Sequence, residues 1–370
     1  MKSAYKITFK RRIIWIAILF VLIFLVFRLK NYPVLVEEYF SLEVYPLIRT
    51  SLQFLFNVVP FSVGDVLYLL IFIAFCISSI QIIRLTFKRK FKIGGLVFLS
   101  LILNLEITIL VFYLFWGLNY FRQPASKRLD LVDTDYKASD LFSVSSMLID
   151  SVNSIRASLR PSDLQQSESH IHKASISAVQ KLSATSPSFR SSAPMVKSSL
   201  LSPILNYMGT AGYYNPFTGE AQINSQMPVF LRPFVACHEM AHQTGFGAED
   251  EANFVGFLSG ITSNDRLLKY STYYVATQEF LIEVWKTDSV AFKMMKKKIS
   301  MSVLEDFKTE KEYWIKYHGG AGIISGIFYD NYLKANKQPE GLKTYNRMIK
   351  LTMAYYRRKR LIKHSSFAAE

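Results

Sequence analysis

Cysteine is nearly absent: 370 residues carry two, Cys76 and Cys237. That excludes a disulfide scaffold and any cysteine-rich zinc module. Charge is scarce too. Charged residues make up 19% of the chain, below the roughly 25% of ordinary soluble domains. Half of the chain is hydrophobic, so it is not a disordered polymer, and part of its length suits a membrane. Acids are the scarcer sign: 28 Asp and Glu face 44 Lys and Arg, a formal charge of +16. Such a surplus invites a nucleic-acid reading, and the placement of the charges decides it. At roughly 150 residues per domain, the length suggests two or three structural units.

What is present begins with three long apolar runs. The first follows Lys2, Lys6, Lys10, Arg11 and Arg12 and spans Ile13 to Phe27. A basic start and an apolar stretch also describe a signal peptide, but no small-residue cleavage site follows. An uncleaved span over about 13–30 is expected, with Arg28 and Lys30 snorkelling to the surface. Further spans are expected over about 66–83 and 93–118. The loop from Arg84 to Lys92 holds five basic residues and no acid, whereas Glu37, Glu38 and Glu43 follow the first span. Positive loops stay inside. The N-terminus and the 84–92 loop are therefore expected in the cytoplasm, and everything after Leu118 outside it. Ten of the basic residues are topology signals on this reading, and a nucleic-acid partner is not expected. An interfacial helix is expected over about 39–59, with Trp116 and Tyr120 as aromatic anchors at the outer surface. Glu106 lies deep in the third span, where a carboxylate either ties helices together or marks an ion path.

The outer part starts polar and serine-rich. Leu141, Val144, Met147, Leu148 and Val152 recur at helical spacing and predict a helix over 139–159. His170 and His172 read as surface-loop residues, because nothing nearby completes a metal site. Further helices are expected over 270–285 and 345–356. Lys296–Lys298 and Arg357–Arg360 read mainly as solvated faces, with membrane lipid as their other partner. Glu220 to Asn224 alternates like a short strand.

The strongest motif is His238-Glu239-Met240-Ala241-His242. Histidines four apart share one helix face and can hold one zinc ion, with the intervening glutamate beside them as a base. Gly245 is placed to cap that helix. A third ligand is needed, and Glu249 or Glu251 can supply it. A second helix is expected over 248–260. Glu249 and Asn253 lie one turn apart on it, so Asn253 can orient a ligand histidine if Glu249 binds the metal. A metzincin site requires histidine at 248, and Ala248 stands there. The charges in 234–260 exclude an intramembrane zinc helix.

Several motifs together carry a family resemblance. They are Trp116-Gly117-Leu118-Asn119-Tyr120-Phe121-Arg122, Asn215-Pro216-Phe217-Thr218-Gly219-Glu220-Ala221, the stretch from His238 to Phe254, Tyr329–Asn336 and Gly341–Tyr345. With the three spans they resemble the bacterial family of domain of unknown function 3810. The resemblance implies a membrane-anchored protein with a zinc-peptidase-like domain. More distantly the chain is similar to glutamate-zincins, which follow HExxH with Glu-x-x-Ala-Asp. Glu249-Asp250-Glu251-Ala252-Asn253 is similar, with Asn253 in place of the Asp. That likeness favours Glu249 as third ligand. It also implies a substrate-binding edge strand over Phe217, Gly219, Glu220, Ala221, Gln222, Ile223 and Asn224.

The expected architecture is mainly α. A membrane domain covers 1–122, a mostly helical zincin-like domain with a small sheet covers 123–358, and a basic tail covers 359–370. The expected function is hydrolysis of peptide bonds in an envelope protein or peptide by a zinc-activated water, with Glu239 as general base. Tyr329, Tyr332, Tyr317 and His318 are candidate oxyanion stabilisers. The expected location is the bacterial inner membrane, with the outer domain periplasmic. The alternative is a non-catalytic, zinc-stabilised envelope scaffold. No oligomeric state follows from the sequence.

Overall fold

The computed structural model describes residues 2–131, 135–339 and 347–367, with side chains described over 5–131, 135–339 and 348–359. The Gly341–Tyr345 stretch named above lies outside the described residues. The described residues are 76% helical, with one three-stranded sheet and three N-terminal apolar helices among them. It divides into two compact units: Met1–Arg122 with Pro216–Gly219, and Gln123–Asn215 with Glu220–Glu370.

In the first unit, α1 (Lys2–Arg28) is followed by a π-helical stretch, Val36–Val44, that runs into α2 (Tyr45–Phe56). These elements occupy the place of the expected interfacial helix, and Pro46 sits in the first turn of α2. The next two helices are α3 (Val63–Phe87) and α4 (Phe91–Phe115). The Ser62 hydroxyl starts α3 by accepting the Asp65 N–H at 3.0 Å, which satisfies an otherwise orphaned donor. The helical segments Tyr5–Asn31, Val63–Phe87 and Phe91–Phe115 are long and apolar enough to cross a membrane. The third ends earlier than expected, because Gly117–Phe121 tightens into a 3₁₀ turn. Trp116 is buried there against Phe112 and Tyr120, so it is a packing residue rather than an exposed anchor. Arg122 grips Glu37 through two bonds of 2.6 and 2.7 Å, both side chains buried. A fork-to-fork pair of this kind fixes geometry. The Glu106 Oε2 atom is buried with no hydrogen-bond partner among the described residues.

In the second unit, α5 (Ala138–Ser158) forms on the predicted apolar stripe. It is followed by α6 (Glu168–Ser183), capped by the Ser167 hydroxyl. His170 and His172 therefore lie on a helix and not in the expected loop. The sheet comes from β1 (Val196–Ser198), β2 (Gly212–Asn215) and β3 (Glu220–Ile223), with α7 (Ser202–Met208) between the first two strands. Its order is β1-β3-β2, with β3 parallel to β1 and antiparallel to β2. Next come α8 (Arg232–Gln243), α9 (Glu249–Ile261) and α10 (Arg266–Thr287). The long helices that follow are α11 (Ser289–Lys296), α12 (Met301–Tyr317), α13 (Gly320–Ala335) and α14 (Arg347–Phe367). The helix α14 continues into the stretch expected as a tail.

The helix α8 is buried on two sides. Ala236, Cys237 and Met240 pack on Ala221 and Ile223 of the sheet. Phe234 and Ala241 join the main core with Leu148, Phe254, Phe257 and Tyr270. Each of the larger apolar side chains there (Met240, Ile223, Phe234, Leu148, Phe254 and Phe257) contributes about 1.5–3 kcal/mol. The HExxH helix is thus clamped between sheet and core, which fixes the direction of its polar face.

Candidate metal centre

The polar face of α8 carries His238, Glu239 and His242, all buried. The helix ends in a two-bond turn. The Gly245 N–H donates to the His242 carbonyl at 2.9 Å, and the Phe246 N–H to the Ala241 carbonyl at 3.2 Å. This is the Schellman pattern, and Gly245 takes the left-handed conformation it requires, φ 89°. The reversal folds the Phe246 carbonyl back onto His242, whose Nδ1 lies 2.7 Å away. It also directs the chain into α9, which returns alongside α8. Gly256 makes the approach close, because a Cβ there would lie 3.4 Å from the His238 backbone nitrogen.

The first turn of α9 delivers Glu249. Its Oε2 lies 3.2 Å from His238 Nε2 and its Oε1 3.5 Å from His242 Nε2, while the two Nε2 atoms are 3.1 Å apart. Three donors held about 2.0–2.1 Å from a tetrahedral zinc sit roughly 3.4 Å from one another. The spacing fits such an ion. The opposite ring nitrogens are engaged as well. His238 Nδ1 faces Asn253 Oδ1 at 2.7 Å, and His242 Nδ1 faces the Phe246 carbonyl. In the neutral rings each acceptor would receive the Nδ1–H hydrogen bond, which turns the Nε2 lone pairs toward the common point.

Glu239 has a ligand-type oxygen within 4.8 Å of ring nitrogens of both histidines. Two carboxylates therefore border the same point. Glu249 contacts both Nε2 atoms, whereas Glu239 has no hydrogen bond or ion pair among the described residues. Glu249 thus has the contacts of a third ligand, and Glu239 is the carboxylate left without such contacts. Burial pushes Glu239 up to about 7, with the neighbouring histidines opposing the rise. Burial opposes the charged form of His242, but the Glu249 carboxylate outweighs it and raises the ring to about 9. Burial likewise acts against ionised Glu249, and the two histidines overcome it and hold the carboxyl well below the usual range.

Glu251 is elsewhere. It accepts the Ala125 N–H at 2.6 Å and pairs with Arg128 at 2.5 Å. It is a structural anchor and not the alternative ligand. Arg128 also lies over the Phe246 ring, 4.4 Å from its centroid, behind the carbonyl that holds His242.

The candidate oxyanion donors separate. The Tyr329 hydroxyl donates to Glu249 Oε1 at 2.6 Å, and Tyr332 stacks on the Tyr329 ring. Tyr317 instead packs against Tyr207 and Tyr313, and His318 is an exposed residue at the end of α12. Neither joins the cluster.

The expected substrate strand is corrected. Glu220–Ile223 is the central strand, with β1 on one side and β2 on the other. Glu220, Ala221, Gln222, Ile223 and Asn224 are all at most 1% exposed. Glu220 pairs with Lys197 at 2.6 Å, and Asn224 donates to Asn206 at 2.7 Å. Phe217 and Gly219 belong to the first unit, where Phe217 meets Tyr68 edge-on. The outer strand next to the motif is β2. Its Gly212 lies so near α8 that a Cβ would come 2.8 Å from Val235 and 3.0 Å from the Glu239 side chain.

Sequence reasoning missed Gly212, Arg128 and Gln338. The last accepts the Glu249 N–H at 3.2 Å from beyond α13. None of the three carries a local signal, because each acts through a partner distant in the chain.

A family model described as "Protein of unknown function (DUF3810)" matches residues 40–353. No curated protein and no solved structure matches the chain.

Proposed function

The chain belongs to the DUF3810 family, and we propose that it is a membrane-anchored zinc peptidase acting on a polypeptide of the cell envelope. The spacing of His238, His242 and Glu249 carries the reading. Three donors from two helices converge at zinc-like distances, and each histidine's Nδ1 faces an oxygen acceptor. When bound, zinc would supply Lewis-acid polarisation of a carbonyl and of water. The chain's own residues do the rest. Glu239 sits buried beside the ligands with no partner of its own among the described residues, in the place of a base that would take a proton from the attacking water and return it to the leaving amine. Tyr329 holds Glu249 through its hydroxyl and is our candidate donor to the reacting carbonyl. The polypeptide would run beside β2, where Gly212 brings backbone against Glu239. The charge pattern around the apolar helices supports a location of this domain outside the cytoplasm, with the inner membrane as its anchor.

Metal analysis of the purified full chain tests the reading. About one zinc per chain is expected, lost in Glu249→Ala and retained in Glu251→Gln. Glu239→Gln should keep the zinc and lose peptide hydrolysis by about 10²–10⁴-fold. A gently purified wild type without zinc would overturn the proposal.

A further inference from the structure

The second unit has an apolar face that its own core does not use. On α13, Ile323, Ile324, Ile327 and Phe328 lie one turn apart in pairs. Beside them Ile204 and Tyr207 project from α7, on which α13 packs, with Gly322 set close to the Tyr207 carbonyl. These six side chains are 53–73% exposed. No acidic or basic residue occurs from Gly319 to Tyr329, while Lys316 and Lys334 bracket the stretch and Trp314 and Tyr317 precede it. A contiguous exposed apolar face marks a contact surface.

We propose that this face inserts shallowly into the lipid bilayer that carries the protein. Three features favour lipid as its occupant. The same chain holds three membrane-length helices, so a bilayer is present at high effective concentration. Aliphatic side chains flanked by Trp, Tyr and Lys have the composition of an element lying in a membrane interface. The face is also small: six side chains on two helices fall well short of the roughly 20–30 residues a side of a standard protein interface. The inserted helix is the one that touches the metal ligands, since Tyr329 follows Phe328 directly and bonds Glu249. Resting on the hydrolase reading, the substrate would then be a polypeptide itself attached to the bilayer, presented next to the membrane surface.

The test reads depth and not activity. The full chain, with Cys76→Ser to leave only buried Cys237, is placed in nanodiscs of phosphatidylethanolamine and phosphatidylglycerol. An environment-sensitive fluorophore is attached through Ile327→Cys, or through exposed Ala157→Cys on α5 as a control. At 327 we expect a blue-shifted emission that loses intensity with brominated lipids, more with bromines near the headgroup than near the chain end. At 157 we expect neither. Ile324→Asp with Phe328→Asp, both on exposed side chains, should return the 327 probe to its aqueous spectrum. A 327 probe that brominated lipid does not quench overturns the proposal. If that probe is shielded only when two chains share a disc, the occupant is a second copy, and the proposal again fails. Zinc content of the same samples reports the hydrolase reading separately, so either can fail alone.

Discussion

His238 and His242 are oriented by different means, and the difference is testable. His242 leans on a backbone carbonyl that no side-chain substitution removes, whereas His238 depends on the Asn253 side chain. Removing such an orienting acceptor typically weakens metal binding about 10–100-fold. Asn253→Ala should therefore lower zinc affinity by that amount in a chelator competition, and Asn253→Asp should restore it. Unchanged affinity in the alanine variant would mean that the Asn253 contact does not orient the ligand. A second residue-scale expectation concerns Glu279, away from the metal residues. Burial raises its carboxyl to about 7, only partly offset by Lys286. The folded state thus holds a proton that the unfolded state loses near 4.5. Stability falls as pH rises through that window and stays lower above it. Glu279→Gln should be more stable than wild type at pH 8, by on the order of 1–2 kcal/mol after allowing for partial exposure, and equal near pH 4. Thermal unfolding at the two pH values checks this; equal gains at both would rule out titration as the cause.

The helices α8, α9 and α10 approach through glycine, and the two contacts differ in tolerance. At Gly256 an added Cβ would meet backbone at an ordinary 3.4 Å, whereas at Gly260 it would collide with the Thr272 side chain on α10. Gly260→Ala should cost about 1–3 kcal/mol through overpacking and lower the Tm by several degrees, and Gly256→Ala distinctly less. Equal melting points would show that α10 shifts freely. These contacts also explain what the sequence revealed. The helix α8 was legible because its ligands share a face and its cap glycine stands at the right offset. The returning helix α9 was legible because Glu249 and Asn253 are one turn apart. The strand neighbours were not. The strand β1 has three residues, too few for a period, and it joins β3 in parallel across more than twenty residues of chain. Alternation in Glu220–Asn224 suggested one buried face, but the segment is covered on both faces and flanked on both edges. Gly212 was unreadable for a related reason: its need for a missing Cβ arises only once β2 meets Glu239.

At the scale of the whole molecule, the basic surplus and the apolar helices belong to one arrangement. Five basic residues crowd into 84–92, and three acids follow the first apolar helix before α2. Lys and Arg near span ends resist translocation, so this asymmetry favours the proposed orientation. On the proposed orientation the 84–92 loop is expected in the cytoplasm, and three crossings would carry the chain after Phe115 to the other face. The structure supplies probes for both sides, since Lys88 and Lys308 are exposed. In the Cys76→Ser background, Lys308→Cys should react with an impermeant maleimide in intact spheroplasts, and Lys88→Cys only after the membrane is opened. The rule acts through the charges themselves, so replacing the five basic residues of 84–92 with Gln should weaken the preference and let Lys88→Cys label in part of the population. Labelling of Lys88→Cys in intact spheroplasts of the parent chain would instead put the metal site in the cytoplasm. The hydrolase would then need a cytoplasmic substrate, and the envelope reading would fall even if zinc were bound.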